Sequence, residues 1–557
     1  MESIREQILS GISEEIKEIL YGYIQAESFT HSEKEKDAEK FFLNYFAEQD
    51  YFKEHPEFFG RKAIQNDPLG RAAVFAMVKG DGPETVVFVH HYDVVTIEDF
   101  KLLAPFAFSP EKLEEGLLEM ADTLAEEAAS DLLSKKWLFG RGVCDMKGGG
   151  AIQMAMISRY AKLPKFHGNL IVLGVPDEEN LSAGMREAVV LLADLKEKYG
   201  LDYRLMINSE PHQRRNPQKG VFSTGSVGKI MPFIYVRGSL AHAGKVFEGF
   251  NPLNLMAEIV RKSELSMKFS DTVGNEAAPP PTWLYCRDCK ENYDVSMPLS
   301  VAGCFSILTL NQTPAGVLKK VREICEDAFD RILGDMQESF DIFQDHTKRQ
   351  RQALPWTKKV TEFAQLYKEA EASHGEVFRK EYENEKHRVK KEFDEGNISL
   401  IEANFALVDF IYNYVDDLSP RVVFGLTPPY YPNVSNVLLP SLSPEIRELD
   451  KNLNAFTQET FGQSYESEAF YTGISDLSYT SIGDSEEAED TLASSMPLFG
   501  SFYSLPVAAI DKISMPCMNI GPWGKDFHKL TERVYKEDLY ERTPKIIQRA
   551  LEIVLGL

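Results

Sequence analysis

The chain has 557 residues, 43% of them hydrophobic and 26% charged, which excludes a largely disordered chain and, at roughly 100–200 residues per domain, indicates more than one domain. Lysine and arginine number 61 against 86 aspartates and glutamates, and the resulting formal charge of -25 argues against a nucleic-acid binder or a partner of anionic membranes. Six cysteines are too few for a disulfide framework.

The first twenty residues, MESIREQILSGISEEIKEIL, mix acids and bases through their apolar positions. They lack the basic region followed by an apolar region that defines a signal peptide. No window approaches the ~18 uninterrupted apolar residues of a membrane helix. The expectation is a soluble, cytoplasmic protein with reduced thiols.

Apolar runs typical of strands alternate with helical periodicity through the first 223 residues. Residues 1 to about 50 are predicted to be helical, and further segments follow in chain order: strands at 72–78 and 85–95, a helix at 148–163, a strand at 169–175, a helix at 184–200 and a strand at 203–210. This alternation predicts an α/β fold with a mostly parallel sheet and helices on both faces.

The pattern changes at about residue 224. Strands are predicted at 229–238, 300–310 and 421–432, and helices at 251–265 and 443–462. Residues 314 to about 420 form a long, charge-rich helical stretch whose charges are expected on solvated helix faces. A last αβ segment ends at Leu557.

Polar residues follow several predicted strands, and ligands of open α/β sheets bind at the carboxyl ends of strands. His91 and Asp93 share one face at the end of an apolar strand, with His90 on the other, although a plain polar strand terminus is the alternative. Asp145 lies in a glycine-rich loop before a helix. Neither the Walker spacing nor GxGxxG is present, so a nucleotide loop is disfavoured.

Three adjacent acids, Asp177, Glu178 and Glu179, follow the next strand and would repel one another unless cations held them. Glu210 ends a further strand, and His528 follows a Gly/Pro turn far along the chain. Carboxylates combined with imidazoles suit Zn²⁺ or a similar divalent ion. Two such ions sharing a carboxylate can activate one water molecule.

The ordered motifs HYDVV, GRGVCDMKGG, DEEN, SEP, GISD and GPWGKDFH resemble those of metallopeptidase family 20. These are dinuclear zinc hydrolases that include carboxypeptidase G, dipeptidases and aminoacylase. The segments PPPTW and PPYYPNVSN, around a helical insertion, resemble most the arginine utilisation branch of that family.

The resemblance implies a catalytic domain interrupted by a ferredoxin-like α+β lid that usually dimerises. We place the catalytic domain at 1–223 and 436–557 and the lid at 224–435, enlarged by the helical insertion at about 315–420.

Metal ligands follow from the same resemblance. His91, Asp145 and Glu210 would bind the first ion, with Asp145 bridging, and Glu179 and His528 would bind the second. The implied cofactor is two divalent ions, most simply zinc, with manganese or cobalt as alternatives.

Catalytic residues are implied too. Asp93 would accept the N–H of His91 and fix its tautomer, and Glu178 would be the general base acting on the water between the metals. His242, in the lid motif GSLAHAGKVFEGFNPLN, would stabilise the tetrahedral oxyanion in the partner subunit's site. Gly473 and Asp476 match a loop that shapes the site without binding metal.

Two lid features depart from the pattern. Asn311 stands where the family commonly has arginine, which leaves open how a substrate carboxylate is held. Cys286 and Cys289 form a lone CxxC, which we interpret as ordinary reduced cysteines rather than a zinc site.

The leading hypothesis is a dinuclear metal-dependent hydrolase of amide bonds that acts on small peptides or N-acyl amino acids as a homodimer. The alternatives are another cocatalytic-zinc aminopeptidase, or a non-catalytic binding or scaffold protein on the same fold. Loss of a ligand or of the base would favour the scaffold, and neither is lost in this sequence.

Overall fold

A computed structural model describes residues 4–290 and 292–557. The chain forms two compact units. Unit 1 comprises Met1–Ser226, Val434–Gly483 and Pro506–Leu557, and unit 2 comprises Val227–Asn433 and Asp484–Leu505.

The strands of the described residues are, in chain order, β1 (Phe59–Ala63), β2 (Ala72–Lys79), β3 (Asp81–His91), β4 (Trp137–Phe139), β5 (His167–Val175), β6 (Asp202–Asn208), β7 (Lys219–Ser223), β8 (Gly225–Ser226), β9 (Gly228–Ile230), β10 (Pro232–Arg237), β11 (Thr272–Val273), β12 (Glu276–Ala277), β13 (Thr282–Asp288), β14 (Ser300–Thr309), β15 (Val360–Glu362), β16 (Arg421–Leu426), β17 (Val434–Ser435), β18 (Ser464–Glu468), β19 (Cys517–Asn519), β20 (Gly524–Lys525) and β21 (Arg533–Tyr535).

The α-helices are α1 (Ile4–Leu9), α2 (Ile12–Ile24), α3 (Glu35–Ala47), α4 (Asp50–Glu54), α5 (Pro110–Glu119), α6 (Glu126–Ser134), α7 (Lys147–Ala161), α8 (Ala183–Tyr199), α9 (Pro252–Ser263), α10 (Pro314–His346), α11 (Phe363–Asp394), α12 (Leu400–Ile411), α13 (Pro444–Arg447), α14 (Leu449–Phe461), α15 (Ser485–Ser495), α16 (Val507–Ile513) and α17 (Thr543–Leu555). The strands and helices predicted from the apolar patterns are present, with ends shifted by a few residues.

Unit 1 is built on an eight-stranded mixed sheet with the strand order β1-β2-β5-β3-β6-β19-β7-β18. Its centre, β5-β3-β6-β19, is parallel, whereas β1 and β2 pair antiparallel with their neighbours. Every residue of β3 from Thr85 to His91 is buried, so both faces of the sheet are covered. The α/β fold class predicted from the sequence is confirmed.

The glycines that open α7 let this helix approach the sheet closely. A Cβ at Gly149 would lie 2.2 Å from the carbonyl oxygen of Ser209, and one at Gly150 would lie 2.6 Å from the ring of His90. Both are shorter than any side-chain contact allows, so the run GGG is required for packing and the loop before it is fixed against the strand ends.

Unit 2 contains a second sheet with the order β13-β14-β10-β16-β15, and β9 also pairs with β14. Apart from the short β11 and β12 and the inserted β15, α11 and α12, the elements β10, α9, β13, β14, α10 and β16 succeed one another as strand, helix, strand, strand, helix, strand. This succession, with β10 paired antiparallel to both β14 and β16, is that of the ferredoxin-like split βαβ arrangement.

The charge-rich stretch of unit 2 folds into α10, α11 and α12, and α11 is not one straight helix. Gly375 has a left-handed φ of 53°, and the rings of Tyr367 and Tyr382 lie 5.2 Å apart. Fifteen residues of straight helix would separate them by about 22 Å. The helix therefore turns back at Gly375 into two packed arms.

None of the helices in the described residues combines the length and the apolar character needed to cross a bilayer.

Candidate metal centre

Three neighbouring parallel strands of unit 1 end at the same edge of the sheet and bring chemistry-bearing residues together. His91 is the last residue of β3, the Asp177–Glu179 segment follows β5, and Glu210 follows β6. Because these strands are adjacent and parallel, residues far apart in sequence converge at their carboxyl ends.

Two further predicted residues, Asp145 and His528, lie in loops that begin at strands of a small three-stranded sheet with the order β20-β21-β4. The Asp145 loop runs from β4 to α7, and His528 lies between β20 and β21. Since β21 pairs with both β4 and β20, this sheet ties the two loops together.

Asp145 contacts two different histidines through its two carboxylate oxygens. Oδ1 lies 3.0 Å from Nε2 of His91, and Oδ2 lies 3.1 Å from Nε2 of His528. Each histidine nitrogen also meets a glutamate: Glu210 Oε1 is 3.6 Å from His91, and Glu179 Oε1 is 2.9 Å from His528. The five residues thus form two triads that share Asp145.

The geometry fits divalent metal ions. Two ligand atoms bound to one tetrahedral zinc ion at about 2.0–2.1 Å lie about 3.3 Å apart, close to the separations of 2.9–3.6 Å found here. Donor atoms of His91, Asp145 and Glu179 all lie within 4.8 Å of one another. Among the described residues this is the one such group of three or more, and it is a possible metal-binding cluster.

Electrostatics also favour a cation. Burial, and then the charges of Asp145 and Glu179, raise the pKa of Glu210 well above its usual value, although His91 opposes this. Burial lowers the pKa of His91, but the carboxylates of Glu210 and Asp145 outweigh it and raise that pKa. Hydrogen bonds to Asp145 and Glu179 raise the pKa of His528 to about 10. These carboxylates therefore stabilise positive charge at the site, as a bound divalent ion would supply.

Asp93 contacts both His91 and the acidic loop of Glu178 and Glu179. Its Oδ1 and Oδ2 accept the backbone N–H groups of Glu178 and Glu179, each at 3.1 Å. Nδ1 of His91 lies 3.0 Å from the carbonyl oxygen of Asp93 and 3.5 Å from its Oδ1. An Nδ1–H donated to Asp93 would leave Nε2 of His91 to bind a metal once the proton on Nε2 is displaced. His90 points away, with Nε2 3.1 Å from the hydroxyl of Tyr23.

Glu178 is half-buried beside the two triads and belongs to neither of them. Burial, and then the charges of Glu179, Asp476 and Glu210, raise its pKa well above the usual value, against the effect of His91. A carboxyl group with a raised pKa is suited to accept and return a proton.

Residues that hold these loops were not found by sequence reasoning. Oε1 of the buried Glu532 accepts the backbone N–H groups of Gly142, Cys144 and Asp145, and its Oε2 pairs with Arg141. Glu532 therefore fixes the loop that carries Asp145. It stands in an ordinary polar run, KLTERV, so no local signal marks it.

A second buried cluster holds the acidic loop. Nη1 of Arg71 donates to Asp177 at 2.6 Å and to Glu35 at 2.9 Å, and Nη2 donates to Asp67 at 3.0 Å. Asp177 adopts a left-handed φ of 71°, which is uncommon for a residue with a side chain. Arg71 thus secures a strained turn directly before Glu178 and Glu179.

The other predicted residues lie elsewhere. His242 is exposed in unit 2, and its Nδ1 accepts the N–H of Gly244 at 3.0 Å. Asp476 is buried in unit 1, where burial and neighbouring carboxylates raise its pKa to about 7 against the opposing charge of His91. Gly473 precedes it by three residues, and a Cβ at this position would lie 2.6 Å from the Tyr471 ring.

In unit 2, the N–H of Asn311 donates to Asp271 at 2.7 Å. Cys286 and Cys289 are exposed, and within the part of the chain that the structure describes they join no group of three metal-ligating residues.

Comparisons with known proteins agree with one another. A profile of peptidase family M20/M25/M40 matches residues 87–552. The chain is 30% identical over 549 residues to the uncharacterised protein YqjN of Bacillus subtilis (strain 168), covering 97% of this chain and 96% of that protein. It is 28% identical over 511 residues to protein RocB of the same strain, covering 90% and 88%.

One solved structure extends the likeness to the fold. The dipeptidase Dug1p of Saccharomyces cerevisiae superposes with a TM-score of 0.52 at 13% identity, covering 100% of this chain and 98% of that one. At this identity the similarity is one of fold.

Proposed function

The chain belongs to peptidase family M20/M25/M40, a family of hydrolases of peptide and amide bonds, and on that premise we propose that it is a dinuclear metal-dependent hydrolase of small peptides or N-acyl amino acids. The observation that carries the proposal is Asp145, whose two oxygens face two histidines, each accompanied by one glutamate.

His91, Asp145 and Glu210 would hold one ion, and His528, Asp145 and Glu179 the other. Mixed imidazole and carboxylate donors favour zinc, and manganese or cobalt would suit a similar set. When bound, the two ions would lower the pKa of a water molecule and polarise the scissile carbonyl. His528 has a side chain 49% exposed, which supports access for water and substrate to this triad.

Glu178 would act as the general base. It accepts a proton from the attacking water at a carboxylate oxygen and returns it to the leaving nitrogen. The hydrogen bonds from the N–H groups of Glu178 and Glu179 to Asp93 support this role, because they hold the loop while leaving the Glu178 carboxylate outside both triads.

Unit 2 would be the lid, and His242 would stabilise the tetrahedral oxyanion in the site of a second copy of the chain. An exposed apolar groove of ≈ 560 Å³ beside the His242 loop, lined by Val246, Leu253 and Met297 among others, supports such an interface. The Phe247 ring lies 4.9 Å from that of Phe340 on α10, so the long helix braces this loop.

The test is a hydrolysis screen of the purified chain. Protein stripped of metal and reloaded separately with Zn²⁺, Mn²⁺ or Co²⁺ is offered dipeptides, tripeptides and N-acyl amino acids. Arginine derivatives come first, because the motifs resemble the arginine utilisation branch. Metal-dependent release of a free amino group is expected for at least one class, and it should be absent from the Glu178→Gln variant.

A fully loaded protein that cleaves no amide in this screen would contradict the proposal and favour the non-catalytic scaffold. That alternative has less support, since the sequence keeps all five proposed ligands and the proposed base Glu178.

A further inference from the structure

Gln153, on α7, is a buried polar side chain to which the proposed mechanism assigns no task. Its amide contacts only β3 and β6 and the residue after β6, and these two neighbouring parallel strands lead to the proposed ligands His91 and Glu210. A buried amide is unfavourable unless it is hydrogen-bonded. Here both its N–H end and its carbonyl end are satisfied, and every bond goes to the segments that carry those two ligands.

The amide lies where backbone pairing between β3 and β6 stops. The last paired residues are Val89 and Asn208. The two proposed ligands lie two residues beyond this pair, and the described residues show no backbone hydrogen bond between the two segments there. Nε2 of Gln153 donates to the carbonyl oxygens of Val89 at 2.9 Å and Ile207 at 3.4 Å, one on each strand. The side chain therefore links the strands just where their own ladder ends.

The same amide holds the residue directly before each proposed ligand. Nε2 donates to Oγ of Ser209 at 3.0 Å, and Oε1 lies 3.0 Å from Nδ1 of His90. Because Nε2 also faces two carbonyl oxygens, it is the donor end of the amide, so Oε1 accepts and Nδ1 of His90 donates. Ser209 and His90 are both fully buried, and they precede Glu210 and His91 by one residue.

His90 is held from its other side as well. Its Nε2 lies 3.1 Å from the hydroxyl of Tyr23, on α2. Both ring nitrogens therefore have partners within the protein, which keeps His90 from serving as a metal ligand although it adjoins His91. The helix that carries Gln153 is fixed too, since the glycines that open α7 press it against the strand ends.

We propose that Gln153 is a positioning residue for the ion at the triad of His91, because its amide sets the spacing between the strand ends of His91 and Glu210. The donor atoms of these two residues lie 3.6 Å apart. The amide has no hydrogen bond to the loop of His528 within the described residues, so the ion at the triad of His528 should not depend on it. This inference rests on the metal centre of the proposed function.

Calorimetric titration of the metal-free full chain with Zn²⁺ tests the inference in two single-site backgrounds. His528→Ala leaves the ion at His91, whereas Glu210→Ala leaves the ion at His528. Gln153→Met keeps the length of the side chain and removes the amide. It should weaken Zn²⁺ binding about 10–100-fold in the His528→Ala chain, as for other residues that orient ligands. In the Glu210→Ala chain the change should stay below about twofold, as expected for an independent site.

The matched control is Gln548→Met. Gln548 is a fully buried glutamine of α17 whose amide pairs with Tyr160 at 3.0 Å and Glu552 at 3.3 Å. Its loss should leave Zn²⁺ affinity unchanged in both backgrounds, although it also removes a buried amide. An equal loss of affinity from Gln153→Met in both backgrounds would mean that Gln153 supports the fold and not this spacing, and would overturn the inference.

Ser209→Ala gives a milder second test if Gln153→Met does not fold. It removes one bond of the amide and should weaken Zn²⁺ several-fold in the His528→Ala chain alone. A parent chain that binds two ions, together with parental affinity in the folded variants, would refute the role of Gln153 and leave the metal centre standing. A parent chain that takes up no Zn²⁺ would refute the metal centre itself, and this inference with it.

Discussion

Asp145 uses both carboxylate oxygens in the centre, and no other residue of the described chain contacts both His91 and His528 in this way. Asp145→Ala should therefore abolish binding of both ions, whereas Glu210→Ala should weaken mainly the ion at His91. Metal content after dialysis, measured by mass spectrometry, distinguishes these outcomes. Two ions per chain in a folded Asp145→Ala variant would refute the bridging role.

Glu178 gives a second prediction at this scale. Glu178→Gln preserves the shape of the side chain but removes its basicity, so the protein should fold and keep two ions. Turnover should fall by roughly 10²–10⁴-fold, the usual contribution of a general base. If the variant lost metal instead, the roles of Glu178 and Glu179 would have to be exchanged.

Protonation of the centre predicts how metal binding depends on pH. Hydrogen bonds to Asp145 and Glu179 raise the pKa of His528 to about 10, so at neutral pH this imidazole carries a proton that a metal must displace. Burial raises the pKa of Glu210 as well, which acts in the same direction. Metal uptake should release protons, and affinity should fall as pH falls. Calorimetry of zinc binding at pH 7 in two buffers of different ionisation enthalpy measures this release. Equal heats in both buffers would contradict the prediction.

At the scale of elements, the Asp145 loop depends on Glu532, which follows His528 by four residues. Oε1 of Glu532 accepts the N–H groups of Gly142, Cys144 and Asp145. Its Oε2 pairs with the buried Arg141. Glu532→Gln keeps the shape but removes the charge, so metal affinity should fall about 10–100-fold, as for other residues that orient ligands. Thermal unfolding of the metal-free protein should also occur at lower temperature, because Arg141 loses its buried carboxylate partner.

Glu459→Gln on the exposed side of α14 is the matched control and should leave both properties unchanged. If Glu532→Gln behaved like this control, the loop would be held by its other contacts.

The convergence of His91, Glu179 and Glu210 is predictable from sequence because each follows a strand, and parallel strands end at one edge. Asp145 and His528 lie in loops of the small antiparallel sheet, and their place in the site was implied by the motif resemblance alone. Arg71 and Glu532 are not predictable in this way. Their partners lie 106 and 387 residues away, at Asp177 and Asp145, and only the tertiary fold brings them together. The reversal of α11 at Gly375 was also not predictable from the sequence pattern, because helical periodicity continues on both sides of this residue. The reversal follows from the left-handed φ of Gly375.

At the scale of the whole molecule, the assembly state would decide how the proposed catalytic residues Glu178 and His242 meet. If His242 serves the site of a second chain, each active site needs two chains, and dimerisation is part of catalysis. Exposed apolar side chains near the His242 loop, including Leu240 (57% exposed), Val295 (52%) and Ile342 (51%), are the kind of surface that a symmetric partner covers. The alternative is that His242 serves the site of its own chain.

Mixing two inactive variants separates these arrangements. In a trans dimer, a His242→Ala chain paired with a Glu178→Gln chain contains one site with an intact base and an intact histidine, so activity should return partly once subunits exchange. In the cis arrangement every site carries one lesion, and the mixture stays inactive. Exchange is followed independently by energy transfer between labelled chains. Exchange without recovered activity would refute the trans role, and full activity of a monomer at high dilution would refute it without mixing.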